Sequence, residues 1–259
     1  MPDLPGSRRW PLVAAALLLY IAFLMITAPA SLLAWRVARA SNNTASLERA
    51  EGGVWRGRAS AFVINAPGVA PQRLSNATWK LNGVRLLRGQ FAVDITLDGN
   101  SAKAAGTLVV RPHSIQLIQS NITLPASTIA AFFPALQLGR AGGQVTARAE
   151  DIVFREGAAL GEAEIDWINA STALSAVNPL GTYRLKAKAK DGPAQFEITT
   201  VNGALRIAGS GTWSAAKGLS FTAVARAEPL EAANLRNLLL MLGRDDGNGN
   251  YQLQHASRP

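Results

Sequence analysis

The sequence predicts a mainly β protein: a single N-terminal transmembrane helix, then a curled, largely antiparallel β-sheet domain with two short covering helices. Three observations lead there. The run from Pro11 to Trp35 contains no charged side chain. Most of the chain beyond it alternates apolar and polar residues between turn clusters, the pattern of short half-buried strands. Two later segments instead carry apolar residues at helical spacing behind a proline.

The chargeless run is long enough for the roughly 20 apolar residues that cross a bilayer core. Arg8 and Arg9 just before it favour a cytoplasmic tail over residues 1–10 and a span over 11–35. Trp10, Tyr20 and Trp35 suit the two headgroup layers. Arg36 and Arg39 weaken the charge asymmetry, and Glu48 and Glu51 offset them at a distance. A cleaved signal peptide is the rival, with Ala28-Pro29-Ala30 and Ala38-Arg39-Ala40 as small-x-small sites, but its apolar region is usually only about 7–15 residues long. The retained anchor is preferred, with Pro29 kinking it or ending its regular part. Residues 36–50, including the polar stretch Ser41–Ser46, are expected to be a linker to a β-domain over 51–259.

Within that domain, Phe91, Val93, Ile95 and Leu97 share one face of a strand, while Asp94, Thr96 and Asp98 share the other. Asp98-Gly99-Asn100 turns the chain into a hairpin partner over 101–110. Further strands are expected over 58–66, 74–82, 114–124, 143–154, 161–169, 181–190, 194–201, 204–213, 219–227 and 251–254. Pro67-Gly68, Asn82-Gly83, Asp191-Gly192 and Asn202-Gly203 punctuate them. One helix is expected behind Pro125, with Ile129, Phe132, Phe133 and Leu136. The other starts at Pro229, presents Leu235, Leu238, Leu239 and Leu242 as a stripe, and stops at Gly243. The order of a Trp-bearing strand, a meander and a Pro-started helix occurs about 74–143 and again about 160–243, a weak internal repeat.

Composition narrows the function. The balance of 26 Lys+Arg against 17 Asp+Glu gives +9, compatible with nucleic acid, anionic lipid or an acidic protein. Nucleic acid is disfavoured, because the domain lies outside the cytoplasm and its basic residues are scattered with no aromatic-rich binding signature. There is no cysteine, hence no disulfide and no thiolate metal site. His113 follows a proline in an expected turn and His255 lies in the tail, neither near a nucleophile motif or phosphate loop, so no catalytic residue is assigned. An EF-hand starting at Asp246 would place Tyr251 at the glycine position and Ser257 at the terminal carboxylate position. Asp245–Asn250 reads instead as a tight turn, and neither metal nor cofactor is expected.

Two surface features remain. Trp55, Arg56 and Arg58 form a candidate interaction patch, with Trp55 the tryptophan expected to mark a surface. Arg184, Lys186, Lys188 and Lys190 alternate along one strand as a candidate basic strip: a solvated face, a lysine-guarded edge, or a strip meeting an acidic partner or lipid headgroups. Trp79, Trp167 and Trp213 read as core, with an apolar trough for a lipid chain or a partner segment as the sharper alternative.

The segment EGGVWRGRA, Glu51 to Ala59, holds a G-x-W-x-G after the anchor. LSNATWKLNGVRLLRGQFAVDITLDG comes next, with Trp79, Leu87 and Gly89, and the chain closes with NLLLMLGRDDGNGNYQL. In this order the chain resembles the type II secretion system protein N (general secretion pathway protein N) family, and more distantly the AsmA-like β-groove proteins. The first resemblance implies a non-enzymatic inner-membrane component of Gram-negative protein export, its domain periplasmic, its partners other secretion proteins such as inner-membrane parts and the outer-membrane secretin. The second implies, as the alternative, a lipid-binding or lipid-transfer groove.

Overall fold

The computed structural model describes residues 10–65, 71–86, 88–99, 102–130, 137–155, 158–190, 192–214 and 218–256. Arg8, Arg9, Pro67, Gly68, Leu87, Asn100, Phe132, Phe133, Leu136, Asp191 and Ser257 lie outside the described residues.

The chargeless run is two helices rather than one. Helix α1 spans Trp10–Ile26 and α2 spans Ala30–Ala40. Pro29 sits between them with extended backbone, φ −74° and ψ 153°. It has no N–H to continue the helical ladder. The regular part of the helix thus ends before Pro29: α1 has 17 residues, and among the described residues no helix is long and apolar enough to cross a membrane. Residues 36–50 hold the second half of α2, a turn and most of a first strand.

That strand, β1 (Ala45–Gly52), begins a meander of β2 (Arg56–Ile64), β3 (Gln72–Leu81), the short helix α3 (Gly83–Leu86), β4 (Phe91–Asp98), β5 (Lys103–Arg111) and β6 (Ser114–Pro125). After α4 (Ala126–Ala130) come β7 (Gly142–Arg155), β8 (Ala158–Ser171), β9 (Gly181–Ala189), β10 (Ala194–Gly203), β11 (Leu205–Ser214) and β12 (Gly218–Ala227). A 3₁₀ turn at Pro229–Glu231 leads into α5 (Ala232–Leu242), followed by β13 (Arg244–Asp245) and β14 (Tyr251–Ala256). Every strand expected from the sequence is present. They form one 14-stranded sheet in chain order, except that β14 lies between β12 and β13. The pairings between neighbours are all antiparallel, and β1 and β13 are edges that do not meet, so the sheet is open.

The registers align into rows. Ala50, Ala59, Ala77, Leu97, Ala104, Ile122, Ala147, Ile165, Leu185, Ile198, Gly209, Ala223 and Leu253 stand side by side, one from each of β1 to β12 and one from β14. None is polar, and all are buried or half-buried. At about 4.8 Å per strand the row runs roughly 60 Å. The adjacent row on the opposite face includes Arg58, Thr78, Thr96, Asn121, Arg148, Glu164, Lys186, Glu197, Ser210, Thr222 and Gln254. All of these are exposed except the half-buried Glu164. Side chains alternate faces along a strand, so neighbouring rows of opposite polarity make a two-faced sheet.

The apolar face is the concave one. Trp213 on β11 shares a depression with Ile115 on β6 and Phe154 on β7, which a flat sheet would hold apart. A larger depression of about 1620 Å³ runs along the sheet from β6 to β11; besides charged residues of the adjoining rows such as Glu162, Glu164 and Lys186, it includes Ser120, Ala149, Ala163, Ala187, Phe196 and Gly211. The last six form one more row on the same face.

Helices cover parts of this face. Leu235, Leu238 and Leu239 of α5 are buried against Leu205, Ala225 and Tyr251; burying each such leucine contributes about 1.5–3 kcal/mol. Ala126 and Ala130 of α4 pack with Val145 and Trp167. Ala30 and Leu33 of α2 pack with Leu47, Ala50 and Ala59. The helix expected behind Pro125 is seen as α4, with Pro125 itself closing β6.

Candidate functional site

The G-x-W-x-G segment builds the corner that joins the N-terminal helices to the sheet. Gly52 has φ +89°, a left-handed conformation that glycine adopts without strain, and turns the chain out of β1. The Val54 N–H donates to the Ala28 carbonyl at 2.9 Å, and Pro29 bridges to Gly53. The Trp55 indole N–H donates to the Met25 carbonyl at 2.6 Å, near the end of α1. Its backbone carbonyl accepts the Leu81 N–H at 2.8 Å. On the other side of the turn, the Trp79 indole N–H lies 3.3 Å from the Gly53 carbonyl and 3.1 Å from that of Val54. Gly57 leaves room for the Trp79 ring: a Cβ there would stand 2.3 Å from Cζ2.

Trp55 is thus half-buried and fastens α1 to the sheet, while Arg56 and Arg58 point to the polar face. The structure brings these two arginines together and turns the tryptophan away from them. Arg58 pairs with Glu51 at 2.8 Å, with both side chains mostly exposed, so the pair adds little stability. Arg56 stands opposite Lys80, and Lys80 opposite Asp94. Around them is a depression of about 700 Å³ that also includes Glu51 and Thr78.

The basic strip lies on β9, which is hydrogen-bonded to β8 on one side and β10 on the other. An interior strand guards no edge, so the lysine-guarded-edge reading is corrected. Its cations meet acids across β8: Arg184 stands opposite Asp166, Lys186 opposite Glu164, and Lys188 opposite Glu162. Lys186 also stands opposite Glu197 on β10. The Arg184 Nε donates to Asp166 Oδ1 at 2.7 Å, and Nη2 donates to Oδ2 at 3.2 Å. Arg148 approaches the same carboxylate from β7 at 3.4 Å. Asp166 is only 7% exposed. The Arg184 hydrogen bonds hold its carboxyl below the usual range against the opposing effect of burial, and the Asp166 carboxylate raises the Arg184 guanidinium in turn. The Glu162 carboxyl is likewise lowered, first by its hydrogen bond to Lys188. Cross-strand pairs of opposite charge favour this register. Lys190, just past β9, is exposed.

Of the tryptophans expected in the core, Trp213 is a correction: it is 43% exposed, beyond the cluster that α5 covers. The Tyr183 hydroxyl donates to the Leu205 carbonyl at 2.9 Å, and burial pushes its phenol pKa up. The Trp167 indole N–H donates to the Gly142 carbonyl at 2.9 Å, as Trp79 does to Gly53. In the Asp245–Asn250 loop, Asp246 Oδ1 accepts the N–H groups of Asn248 and Asn250 at 2.8 and 3.2 Å. This is the expected tight turn, and the Asn250 side chain is the first cause of a lowered Asp246 carboxyl. His113 lies in the β5–β6 turn, and His255 on β14 stacks near Phe221, centroids 6.2 Å apart. Among the described residues no three His, Asp or Glu side chains converge as a metal would require.

A family model described as type II secretion system (T2SS), protein N matches residues 43–254, from the turn before β1 into β14. The chain belongs to this family. Comparisons with curated proteins and with solved structures return no match. The family makes the chain a component of the type II secretion system, a structural part rather than a known enzyme, and such components are typically associated with the cell envelope. The match covers the G-x-W-x-G corner, both faces of the sheet and the Asp245–Asn250 turn, and leaves α1 and α2 outside it. Two features escape a reading of the sequence. The continuous apolar face has a signal in the alanines and glycines that alternate with polar residues. The two-faced character of α2 has one in the spacing of Leu33 and Val37.

Proposed function

We propose that the chain is a membrane-anchored docking component of the secretion system, with α1 in the inner membrane, its N-terminus cytoplasmic and its β-domain in the periplasm. The observation that carries the anchor is α1 itself. Its sequence, WPLVAAALLLYIAFLMI, has no charge, and its large side chains are exposed along its whole length. A helix that is apolar all round belongs in lipid or in a protein interior, and α1 stands outside the core. Its 17 residues fall short of a full-thickness span, and local thinning of the bilayer accommodates a short one. The open sheet edges and the Arg56–Arg58 surface are the docking elements in this reading, with other secretion proteins as partners and no cofactor. Strand addition at an edge would supply backbone hydrogen bonds without catalytic chemistry. In-cell photo-crosslinking from position 56 tests it. Adducts with secretion proteins support the reading, and an absence of such adducts in secreting cells overturns the patch.

A second reading has one specific observation behind it: the apolar row continues across the concave face, and the depression beside it has small residues, Ala149, Ala163, Ala187 and Gly211, among its lining. Such a surface fits lipid chains, which need no hydrogen-bond partners. Native mass spectrometry of the chain released from nanodiscs tests it, and repeated absence of retained lipid counts against it.

A further inference from the structure

Helix α2 has two faces. Ala30, Leu33, Ala34, Val37 and Ala38 are buried or half-buried, and Ala30 and Leu33 pack with the β1–β2 cluster. Leu32, Trp35, Arg36 and Arg39 recur at one-turn spacing on the opposite face and are exposed, Leu32 at 50% and Trp35 at 55%. The Arg39 guanidinium carbon lies 5.7 Å from the centre of the Trp35 ring. The helix contains no Asp or Glu. The acids of the neighbouring β1 are already engaged, Glu48 with Arg73 and Glu51 with Arg58. Neither Arg36 nor Arg39 takes part in an ion pair among the described residues. The β9 cations, by contrast, face acids on β8.

We infer that the exposed face of α2 docks on anionic phospholipid headgroups of the leaflet in which α1 ends, and so fixes how the sheet stands on the membrane. The inference rests on the anchor reading of α1. The joint between the helices is held to the sheet by the Trp55 and Val54 hydrogen bonds to Met25 and Ala28. Helix α2 therefore starts where α1 stops and cannot drift from the surface. Guanidinium forks match phosphate oxygens, and a tryptophan flanked by them suits the headgroup layer. Basic residues near an anionic surface each strengthen attraction by roughly fivefold, so the pair contributes roughly 25-fold to the docked-to-undocked ratio.

The chain has no cysteine, so Ala40→Cys gives a single labelling site at the end of α2. The labelled full chain is placed in nanodiscs of phosphatidylcholine alone or with phosphatidylglycerol added, and its quenching by headgroup-attached nitroxide lipid is measured. Strong quenching is expected with phosphatidylglycerol, and severalfold weaker quenching in pure phosphatidylcholine, at high salt, or in R36Q/R39Q. Equal quenching of the parent chain and R36Q/R39Q in the anionic discs overturns the proposal, as does weak quenching of both. Incorporation into the disc, read by co-elution with the scaffold, reports α1 separately. Failure to incorporate removes the anchor and the docking together, whereas incorporation with arginine-independent quenching removes the docking alone.

Discussion

Gly57→Ala should weaken the corner that joins the N-terminal helices to the sheet. The new Cβ would stand 2.3 Å from Trp79 Cζ2, 2.7 Å from its Cε2 and 2.8 Å from the Glu51 carbonyl oxygen. The last is backbone in a paired strand, so the indole has to move. Forcing extra carbon into a packed site costs about 1–3 kcal/mol. Lifting the ring also strains the indole hydrogen bond to Gly53 and Val54, about 1 kcal/mol more if it is lost. The expected total is about 2–4 kcal/mol, which at a urea dependence of about 2–3 kcal/mol per M lowers the midpoint by about 1 M. The assay is urea unfolding of the full chain in mild detergent, monitored by β-sheet circular dichroism. Trp79→Phe gives the ring less reach, so Gly57→Ala should cost less in that background than in the parent. A midpoint within about 0.2 M of the parent, or costs that add without coupling, would refute the idea that the glycine is there to receive the tryptophan.

Trp55→Phe keeps an aromatic ring in the cluster but removes the donor to Met25, and should cost about 1 kcal/mol. Spin labels on α1 and β2 should then report a broader distance distribution, and an unchanged width sinks the latch. Asp166 has its carboxyl lowered in the folded chain by Arg184, so its stabilising contribution is complete above the ordinary value of 3.8 and is lost as pH falls through the lower folded value. Acid unfolding of Asp166→Asn should therefore lack part of the loss seen in the parent below about pH 4, with identical acid limbs arguing against the pair. Ala187→Trp fills the floor of the concave face, where the space is open, and should leave thermal unfolding nearly unchanged while reducing any lipid seen by native mass spectrometry. Retained lipid in that variant would place it elsewhere.

The strands are legible in the amino-acid order alone. Period-two alternation and turn residues are local signals, so Phe91–Leu97 and Leu219–Ala227 announce themselves without reference to the rest of the chain. β1 is the conspicuous miss, because Glu48, Arg49 and Glu51 give it the polarity of a linker, and an edge strand tolerates charges that an interior one must pair. The tight turn at Asp245–Asn250 and the helix behind Pro229 are legible for the same local reason. Features that depend on distant partners had to wait for the fold. The Lys186 side of β9 reads as a basic strip until β8 places Glu162, Glu164 and Asp166 opposite it. Trp55 reads as a surface marker until Met25 appears as its hydrogen-bond acceptor. The apolar trough exists only because successive registers bring small residues into line and the curled sheet turns them inward. Alternation says which residues share a face of one strand; register and curvature decide what that face becomes.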